Sequence, residues 1–299
     1  MQEPKVLIGI TTKNRVEKLI QCIDSIKLLE YPNFKIRVFC DGCTDNTVSK
    51  LANYPDIEVI VNRESIGLKK ARNKLMGALD FKYFVTLDDD TYFVQKDTLK
   101  KSIGFLEKNE NIGILSFDIK DGDYIHDNFI PKSNLKPFQI SEFVGCGNII
   151  KIDVLNDCGF YNENNLPYGC EEQELAINCL KMNYLIYYLP GAFLIHNEEQ
   201  KNRSYARQWK STVNNNLYIA YIYYPVYLWP ILIIIKALIL VKYGLFHEKF
   251  MPTIRGIYHF IFIQPKRKPV YYFGRLTGDE FKLFRILKKR ENYKKSIVG

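Results

Sequence analysis

Segments of strand length and segments of helical periodicity alternate over residues 5–90. The pattern predicts strands at 5–11, 35–40, 57–61 and 82–87 and helices at 15–29, 44–53 and 68–80. This order is typical of a parallel α/β sheet, whose ligands bind beyond the carboxyl ends of the strands. Thr11, Asp41 and Asp88 each follow a predicted strand. We therefore expect these three residues to meet at one edge of the sheet.

The pattern becomes mixed between residues 91 and 196. It predicts helices at 97–108 and 171–182 and strands at 112–118, 143–152 and 184–189. The predicted fold is therefore α/β: a parallel half at 1–96, a mixed half at 97–197, and a helical extension at 198–299.

Asp88, Asp89 and Asp90 follow one another at the end of a predicted strand. Adjacent carboxylates repel one another, and a bound cation would relieve that repulsion. Carboxylates without His or Cys beside them suit hard ions such as Mg²⁺ or Mn²⁺. Such an ion can stabilise a diphosphate leaving group. From the triplet alone, a solvated acidic turn is the alternative.

The Asp triplet is one of six motifs that follow one another in a fixed order along the chain. They lie in the stretches VLIGITTKNRVEKLIQCIDSI, FCDGCTDNT, NRESIGLKKARNKLMGA, YFVTLDDDTYF and GFYNENNLPYGCEEQELAINCLKMNYLIYYLPGAFLIH. Over residues 5–197 this order resembles the family 2 glycosyltransferases with a GT-A fold. The resemblance implies a Rossmann-like nucleotide-sugar-binding half at 1–96 and an acceptor half at 97–197. The resemblance implies a metal-dependent, inverting transfer of sugar from a nucleotide diphosphate donor. A nucleotidyltransferase of the same fold and a catalytically silent membrane or glycan-binding module are the alternatives.

The resemblance assigns the nucleotide-sugar site to eight residues. Asp41 matches the carboxylate that accepts a hydrogen bond from a pyrimidine base, and Asp88 faces the ribose. The full set is Thr11, Lys13, Asp41, Gly67, Arg72, Asn73, Asp88 and Asp89. For Arg72, a charge on the surface of a helix is the alternative. Cys40 and Cys43 replace the Asp and Ser usual in the family, and no second ligand pair follows at a spacing typical of zinc sites.

The resemblance also assigns the metal, the base and the acceptor stretch. Asp90 is the direct metal ligand, joined by Asp88 and His196, although a lone His is often structural. Glu172 aligns with the general base, where the family usually has Asp, and Glu171 is the other candidate. Both glutamates begin a predicted helix, which acidic residues also favour without any catalytic role. Gly145, Cys146 and Gly147 match the small residues beneath the acceptor.

The charge of the chain is divided unevenly. Of the 42 Lys and Arg and 33 Asp and Glu residues, positions 197–299 hold 19 basic and only 6 acidic ones. Residues 217–235 are uncharged, and the apolar character continues to 241. The region is long enough to span a bilayer. However, the tail after it is strongly basic, and basic flanks of this kind normally stay on the cytoplasmic side.

We therefore expect 217–299 to lie at a membrane surface, with Pro225 and Pro230 dividing it into short helices. A membrane span and a helix packed against a partner subunit, as in a homo-oligomer, are the alternatives. Nucleic acid is not expected as a partner, because the aromatics sit in long aliphatic runs. The seven cysteines are interpreted as reduced, and no signal peptide is expected. The predicted location is the cytoplasmic face of the cell membrane, with a glycan or lipid-linked acceptor.

Overall fold

The computed structural model describes residues 3–77, 80–122, 135–164, 166, 168–198, 204–264 and 272–298. Parts of the predicted membrane region and of the helix predicted at 68–80 lie outside them. The strands are β1 Val6–Thr12, β2 Phe34–Asp41, β3 Ile57–Asn62, β4 Tyr83–Asp88, β5 Thr91–Phe93, β6 Ile112–Asp121, β7 Phe138–Gln139, β8 Gly147–Lys151 and β9 Leu185–His196. The helices are α1 Val16–Lys27, α2 Thr47–Leu51, α3 Leu68–Met76, α4 Thr98–Glu107, α5 Ile152–Cys158, α6 Glu171–Lys181, α7 Tyr205–Tyr223, α8 Trp229–Phe246, α9 Phe250–Phe262 and α10 Gly278–Val298.

All nine strands of the described residues belong to one mixed sheet. Its order is β3-β2-β1-β4-β8-β6-β9-β5, and β7 pairs with β9. The strands β3, β2, β1 and β4 are parallel, whereas β8 lies antiparallel between β4 and β6. The predicted parallel sheet and the mixed second half are therefore confirmed, and together they form one continuous sheet.

The register of the parallel strands confirms the predicted convergence at one edge. Thr11 on β1 pairs with Asp88 on β4, and Thr12 pairs with Cys40 on β2. Asp41 is the next residue of β2. The carboxyl ends of β1, β2 and β4 therefore lie side by side.

The two faces of the sheet are covered by helices with apolar stripes. On α1, Leu19, Ile23 and Ile26 are fully buried, at the spacing of a helix that shows one face to the core. On the other face, α3 buries Ala71 and Leu75 against β1 and β2. Burial of these stripes holds the strand ends in fixed positions.

Several predicted boundaries are wrong in detail. Helix α2 is shorter than the predicted 44–53, and Asn46 occupies its N-cap position. The carboxylate of Asp45 accepts a hydrogen bond from the hydroxyl of Thr47. Strand β8 begins only at Gly147, and β6 continues to Asp121. Strand β9 extends to His196, beyond the end predicted at 189, and contains a bulge relative to β6. The short elements α5 and β7 carry too little periodicity to be found from sequence.

The C-terminal helices differ from the predicted short pieces. Helix α7 ends at Tyr223, since Tyr224 takes the extended conformation that a following proline favours. Pro230 lies in the first turn of α8, where proline is tolerated because that backbone N–H has no partner within the helix. Helix α8 therefore continues for 18 residues, and the prediction that Pro230 breaks it is wrong.

Candidate active site

A possible metal-binding group lies where β4 and β9 end. One ligand atom each from Asp88, Asp90 and His196 lies within 4.8 Å of the others, and Nε2 of His196 is 3.4 Å from Oδ1 of Asp90. The last residue of β9 pairs with Thr91 of β5, which directly follows Asp90, so sheet pairing brings His196 to the carboxylates. The neighbouring carboxylate of Asp90 raises the pKa of His196 despite the opposing effect of burial. Two carboxylates and one imidazole suit a divalent cation such as Mn²⁺.

The side chain of Asp89, which lies between Asp88 and Asp90 in the chain, points into the protein interior. Its side chain is fully buried and accepts a hydrogen bond of 2.7 Å from Oγ1 of Thr12. The guanidinium of Arg15 pairs with it and also donates to Oδ2 of Asp90 at 2.7 Å. Burial raises the pKa of Asp89 to about 7, although Arg15 opposes the shift. The carboxylate predicted to contact the donor is therefore bound inside the protein.

Arg72 connects the two halves of the site. Its guanidinium donates to Oδ1 of Asp88 at 2.8 Å and to Oε1 of Glu172 at 3.1 Å, and it lies 3.8 Å from Glu171. The side chain is only 2% exposed, so the alternative of a surface charge is wrong. Burial alone would lower the pKa of Arg72, but the surrounding carboxylates, Asp88 first, raise it well above its usual value. Arg72 therefore stays charged.

Glu172 and Glu171 begin α6 and face different surroundings. The side chain of Glu171 is 4% exposed, and its Oε2 lies 3.9 Å from Nζ of Lys69. Glu172 is more accessible, with 19% of its side chain exposed. Burial, followed by the negative charge of Glu171, raises the pKa of Glu172 to about 8, although Arg72 opposes the shift. Such a carboxyl can accept and release a proton near neutral pH.

The predicted acceptor stretch lies against Glu172. A methyl group built on Gly145 would overlap with Oε1 of Glu172 and lie 2.6 Å from Nη1 of Arg72, so a larger residue here requires the ends of these side chains to move. Burial raises the pKa of the Cys146 thiol, which keeps the thiol neutral. Gly147 begins β8, and a methyl group there would be 2.6 Å from Leu194.

The predicted base pocket lies at the ends of β1 and β2. The carboxylate of Asp41 accepts hydrogen bonds from Oγ of Ser65 at 2.7 Å and from the backbone N–H of Gly67 at 3.1 Å. It therefore holds the loop between β3 and α3. Thr11 is buried and Lys13 is exposed beside it. Contacts of these residues with a nucleotide remain predictions.

Asn73 is engaged on another side of α3. Its side chain donates to the backbone O of Tyr161 at 2.8 Å and to Glu163 at 2.9 Å, and it accepts from the backbone N of Tyr161 at 3.0 Å. The amide thereby fastens α3 to the segment that precedes α6. A contact between Asn73 and the donor remains a prediction.

Two cations of the site were not predicted from the sequence. Arg15 neutralises the buried carboxylates, and the repulsion within the Asp triplet was the signal that such a cation is needed. Lys69 is 3% exposed and donates to the backbone O of Leu166 at 2.8 Å. Nothing in the helical pattern of 68–80 distinguishes it from the exposed Lys70 next to it.

Comparison with known proteins places this geometry in a family. The family described as glycosyl transferase family 2 matches residues 7–158. A Haemophilus influenzae protein named as an uncharacterized glycosyltransferase is 30% identical over 113 residues, 36% of this chain and 35% of that protein. A Rickettsia felis protein of the same name is 29% identical over 115 residues, 38% of this chain and 19% of that protein. The matches thus span about a third or less of these relatives.

Solved structures share the fold at low sequence identity. The Pyrobaculum calidifontis mannosyltransferase PcManGT, in complex with GDP-Man and Mn²⁺, is 14% identical, with 88% of each chain covered and a TM-score of 0.62. Residues 1–349 of S. aureus TarS, in complex with UDP-GlcNAc, are 18% identical, with 78% of this chain and 66% of that chain covered and a TM-score of 0.56. These likenesses confirm the predicted GT-A fold. Since the family match covers half of the sequence, this chain belongs to glycosyltransferase family 2.

Proposed function

We propose that the protein is a metal-dependent, inverting glycosyltransferase that moves a sugar from a nucleoside diphosphate donor to an acceptor hydroxyl. The observation that carries the proposal is the bridge through Arg72, which pairs Asp88 of the possible metal group on one side and Glu172 on the other. The proposed leaving-group site and the proposed base would thus lie on either side of one buried guanidinium. Membership of glycosyltransferase family 2 supports the reaction class.

In the proposed reaction, Glu172 takes the proton of the acceptor hydroxyl. The acceptor oxygen forms a bond to the anomeric carbon while the bond from that carbon to the diphosphate breaks on the opposite face. The proton ends on Glu172 and the bonding electron pair on the diphosphate, and the displacement inverts the anomeric centre. Asp88, Asp90 and His196 would hold a divalent cation, Mn²⁺ or Mg²⁺, which supplies charge stabilisation for the leaving diphosphate.

For the donor we propose a UDP- or dTDP-sugar, with Asp41 beside the base as the family resemblance implies. For the acceptor we propose a glycan or a lipid-linked glycan of a cell-surface polysaccharide. The support for a membrane-bound acceptor is the apolar surface of α8 and α9, which we call the α8–α9 face. Its exposed members are Ile231, Ile234, Ile235, Leu238, Ile239, Leu245, Phe246, Met251, Ile254, Tyr258, Ile261 and Phe262.

Among the described residues, α8 is the one helix long and apolar enough to cross a membrane, and 6% of it is buried. We propose that it lies on the cytoplasmic membrane surface instead. Helix α8 packs beside α7 and α9. Helix α7 buries Tyr223 in a cluster with Ile177 of α6 and Phe284 of α10, and α9 carries the exposed Arg255, so neither neighbour suits a bilayer interior. A homo-oligomer that covers the α8–α9 face is the alternative.

The experiment that tests the function measures nucleotide release from UDP-, dTDP- and GDP-sugars, with and without Mn²⁺ or Mg²⁺, in the presence of lipid-linked acceptors. We expect metal-dependent release of nucleoside diphosphate from one donor, lost in Asp90→Ala. Glu172→Gln should bind the donor and fail to transfer the sugar. If Glu171→Gln is the damaging change, Glu171 is the base. Release of pyrophosphate would indicate a nucleotidyltransferase, and no release with any donor would indicate the silent module.

A further inference from the structure

The segment that leads into the proposed catalytic helix adopts a conformation that needs external support. Gly169 and Cys170 both have positive φ values, 86° and 67°, directly before Glu171. A left-handed conformation is unfavourable for a residue with a Cβ such as Cys170. Cys170 is also the N-cap residue of α6, so its conformation sets the direction in which Glu171 and Glu172 leave the turn.

Asn215 of α7 holds this turn from the side of the C-terminal helices. Its side chain is fully buried, and Nδ2 lies 3.0, 3.1 and 2.8 Å from the backbone O atoms of Leu166, Tyr168 and Gly169. A primary amide has two hydrogens, so the three carbonyls share them. One side chain thereby binds three carbonyl groups of the segment that leads into α6.

The orientation of this amide is determined by its neighbour on α7. Nδ2 of Asn214 donates to Oδ1 of Asn215 at 2.9 Å, so the NH₂ group of Asn215 points to the carbonyls. Oδ1 of Asn214 lies 2.9 Å from Nδ1 of His259 on α9. A buried hydrogen-bonded path therefore runs from α9 through α7 to the turn.

Further contacts attach the same turn to its surroundings. Nδ2 of Asn216 lies 3.1 Å from Sγ of Cys170, and the hydroxyl of Tyr223 donates to Oε1 of Glu174 at 2.8 Å. On the opposite side, Lys69 of α3 donates to the O of Leu166, which Asn215 also binds. The turn is thus held between the nucleotide-binding half and α7.

We infer that Asn215 is a positioning residue for Glu172, and that the C-terminal helices therefore take part in building the catalytic site as well as the membrane surface. Asn215 does not contact Glu172. It acts through the backbone turn at Gly169 and Cys170, whose geometry decides where the Glu172 carboxyl lies relative to Arg72. The inference rests on the proposed role of Glu172 as the base.

The test compares Asn215→Ala and Asn215→Asp with the matched control Leu217→Ala. Aspartate keeps the shape of the side chain but replaces the NH₂ group by an oxygen that faces three carbonyl oxygens. Leu217 is fully buried on the same helix, in the cluster with Val213, Tyr218 and Phe260 of α7 and α9. Its substitution weakens packing without removing a donor from the turn.

We expect kcat for sugar transfer to fall about 100-fold in both Asn215 variants, as for a catalytic group misplaced by about 1 Å. The KM for the donor should stay within about threefold, because a shift of the base leaves uniform donor binding intact. The pH profile of kcat should move, since Glu172 leaves the neighbourhood of Arg72. Leu217→Ala should lower Tm with kcat close to that of the wild type. Wild-type kcat in Asn215→Asp, or an equal loss in Leu217→Ala, would overturn the inference.

Hydrogen exchange provides a readout that does not depend on turnover. We expect the amides of residues 168–174 to exchange at least tenfold faster in Asn215→Ala than in Leu217→Ala. Equal exchange in the two variants would show that Asn215 does not hold the turn. A wild-type protein without transfer activity but with this difference in exchange would refute the proposed function and leave the positioning of the turn established.

Discussion

Gly145 offers a precise test of the proposed catalytic geometry, because it lies directly under the carboxyl group of Glu172. Substitution by alanine adds a methyl group that would overlap with Oε1 of Glu172 and lie 3.0 Å from its carboxyl carbon and 2.6 Å from Nη1 of Arg72. Carbon atoms in contact prefer separations of roughly 3.5–4.0 Å. The carboxyl group must therefore move by about 1 Å or more, since the backbone of Gly145 leads into the paired strand β8.

A displacement of about 1 Å at a catalytic group can lower the rate about 100-fold, which corresponds to roughly 2.7 kcal/mol of transition-state stabilisation. Donor binding should change less, because the larger overlap is with Glu172, whereas Asp88 and His196 lie at the ends of other strands. We therefore expect Gly145→Ala to reduce kcat about 100-fold while the affinity for nucleoside diphosphate and Mn²⁺ stays within about threefold.

The assay combines single-turnover sugar transfer with equilibrium binding of UDP and Mn²⁺. Gly104→Ala is the matched control, since a methyl group there meets nothing within 4 Å on the exposed side of α4. The control should keep full activity and gain about 0.5–1 kcal/mol of stability from the better helix former. Wild-type kcat in Gly145→Ala would refute the proposed position of the base. An equal loss of nucleotide affinity would mean that Arg72, rather than Glu172, had moved.

Other predictions follow from the charges of the site and from the α8–α9 face. Burial raises the pKa of Glu172 to about 8, so its carboxyl group is protonated at low pH. The rate of sugar transfer should therefore rise with pH and level off above about 8. A rate independent of pH between 6 and 9 would contradict the role of Glu172 as the base. Arg15→Ala should lower the free energy of unfolding by about 3–5 kcal/mol at pH 8, since Asp89 is left as a buried, unpaired charge. The loss of stability should be smaller at pH 5, because Asp89, with a pKa of about 7, takes up a proton there. Denaturant titrations at the two pH values measure this difference, and equal losses would contradict the pairing of Arg15 with an ionised Asp89. Leu238→Lys should reduce flotation with anionic vesicles by about tenfold, because it places a charge on the α8–α9 face. The control Val61→Lys, at an exposed apolar residue of β3, should not reduce flotation. Equal flotation of both variants would argue against the α8–α9 face as the membrane surface.

The fold of the first half was accessible from sequence because its signals are local. Each parallel strand is a short apolar run, and each helix carries its own buried stripe, as in Leu19, Ile23 and Ile26 of α1. The direction of a parallel sheet then fixes which strand ends meet. The prediction that Thr11, Asp41 and Asp88 share an edge therefore needed no coordinates.

The boundaries of the second half were less accessible because tertiary contacts decide them. Strand β9 pairs with β6 on both sides of a bulge that contains Pro190 and Gly191, and it pairs with β5 at its end. Helix α8 begins at Trp229 although Pro230 follows, since a proline in the first turn of a helix leaves no hydrogen bond broken. Local composition does not indicate strand pairing or the exact start of a helix.

The class of the fold, the acidic edge of the sheet and the order of motifs that places the chain in its family could be inferred from the amino-acid sequence. The roles of the individual charged residues could be assigned only from the folded structure. In the structure, Asp89 is buried and paired with Arg15, and Arg72 links Asp88 to Glu172. The side chain of Asn215 binds the turn before α6. The physical reason is that a charge or amide has no periodic signature. Its role depends on burial and on partners up to about 100 positions away in the chain, as for Arg72 and Glu172, and only the folded chain brings these together.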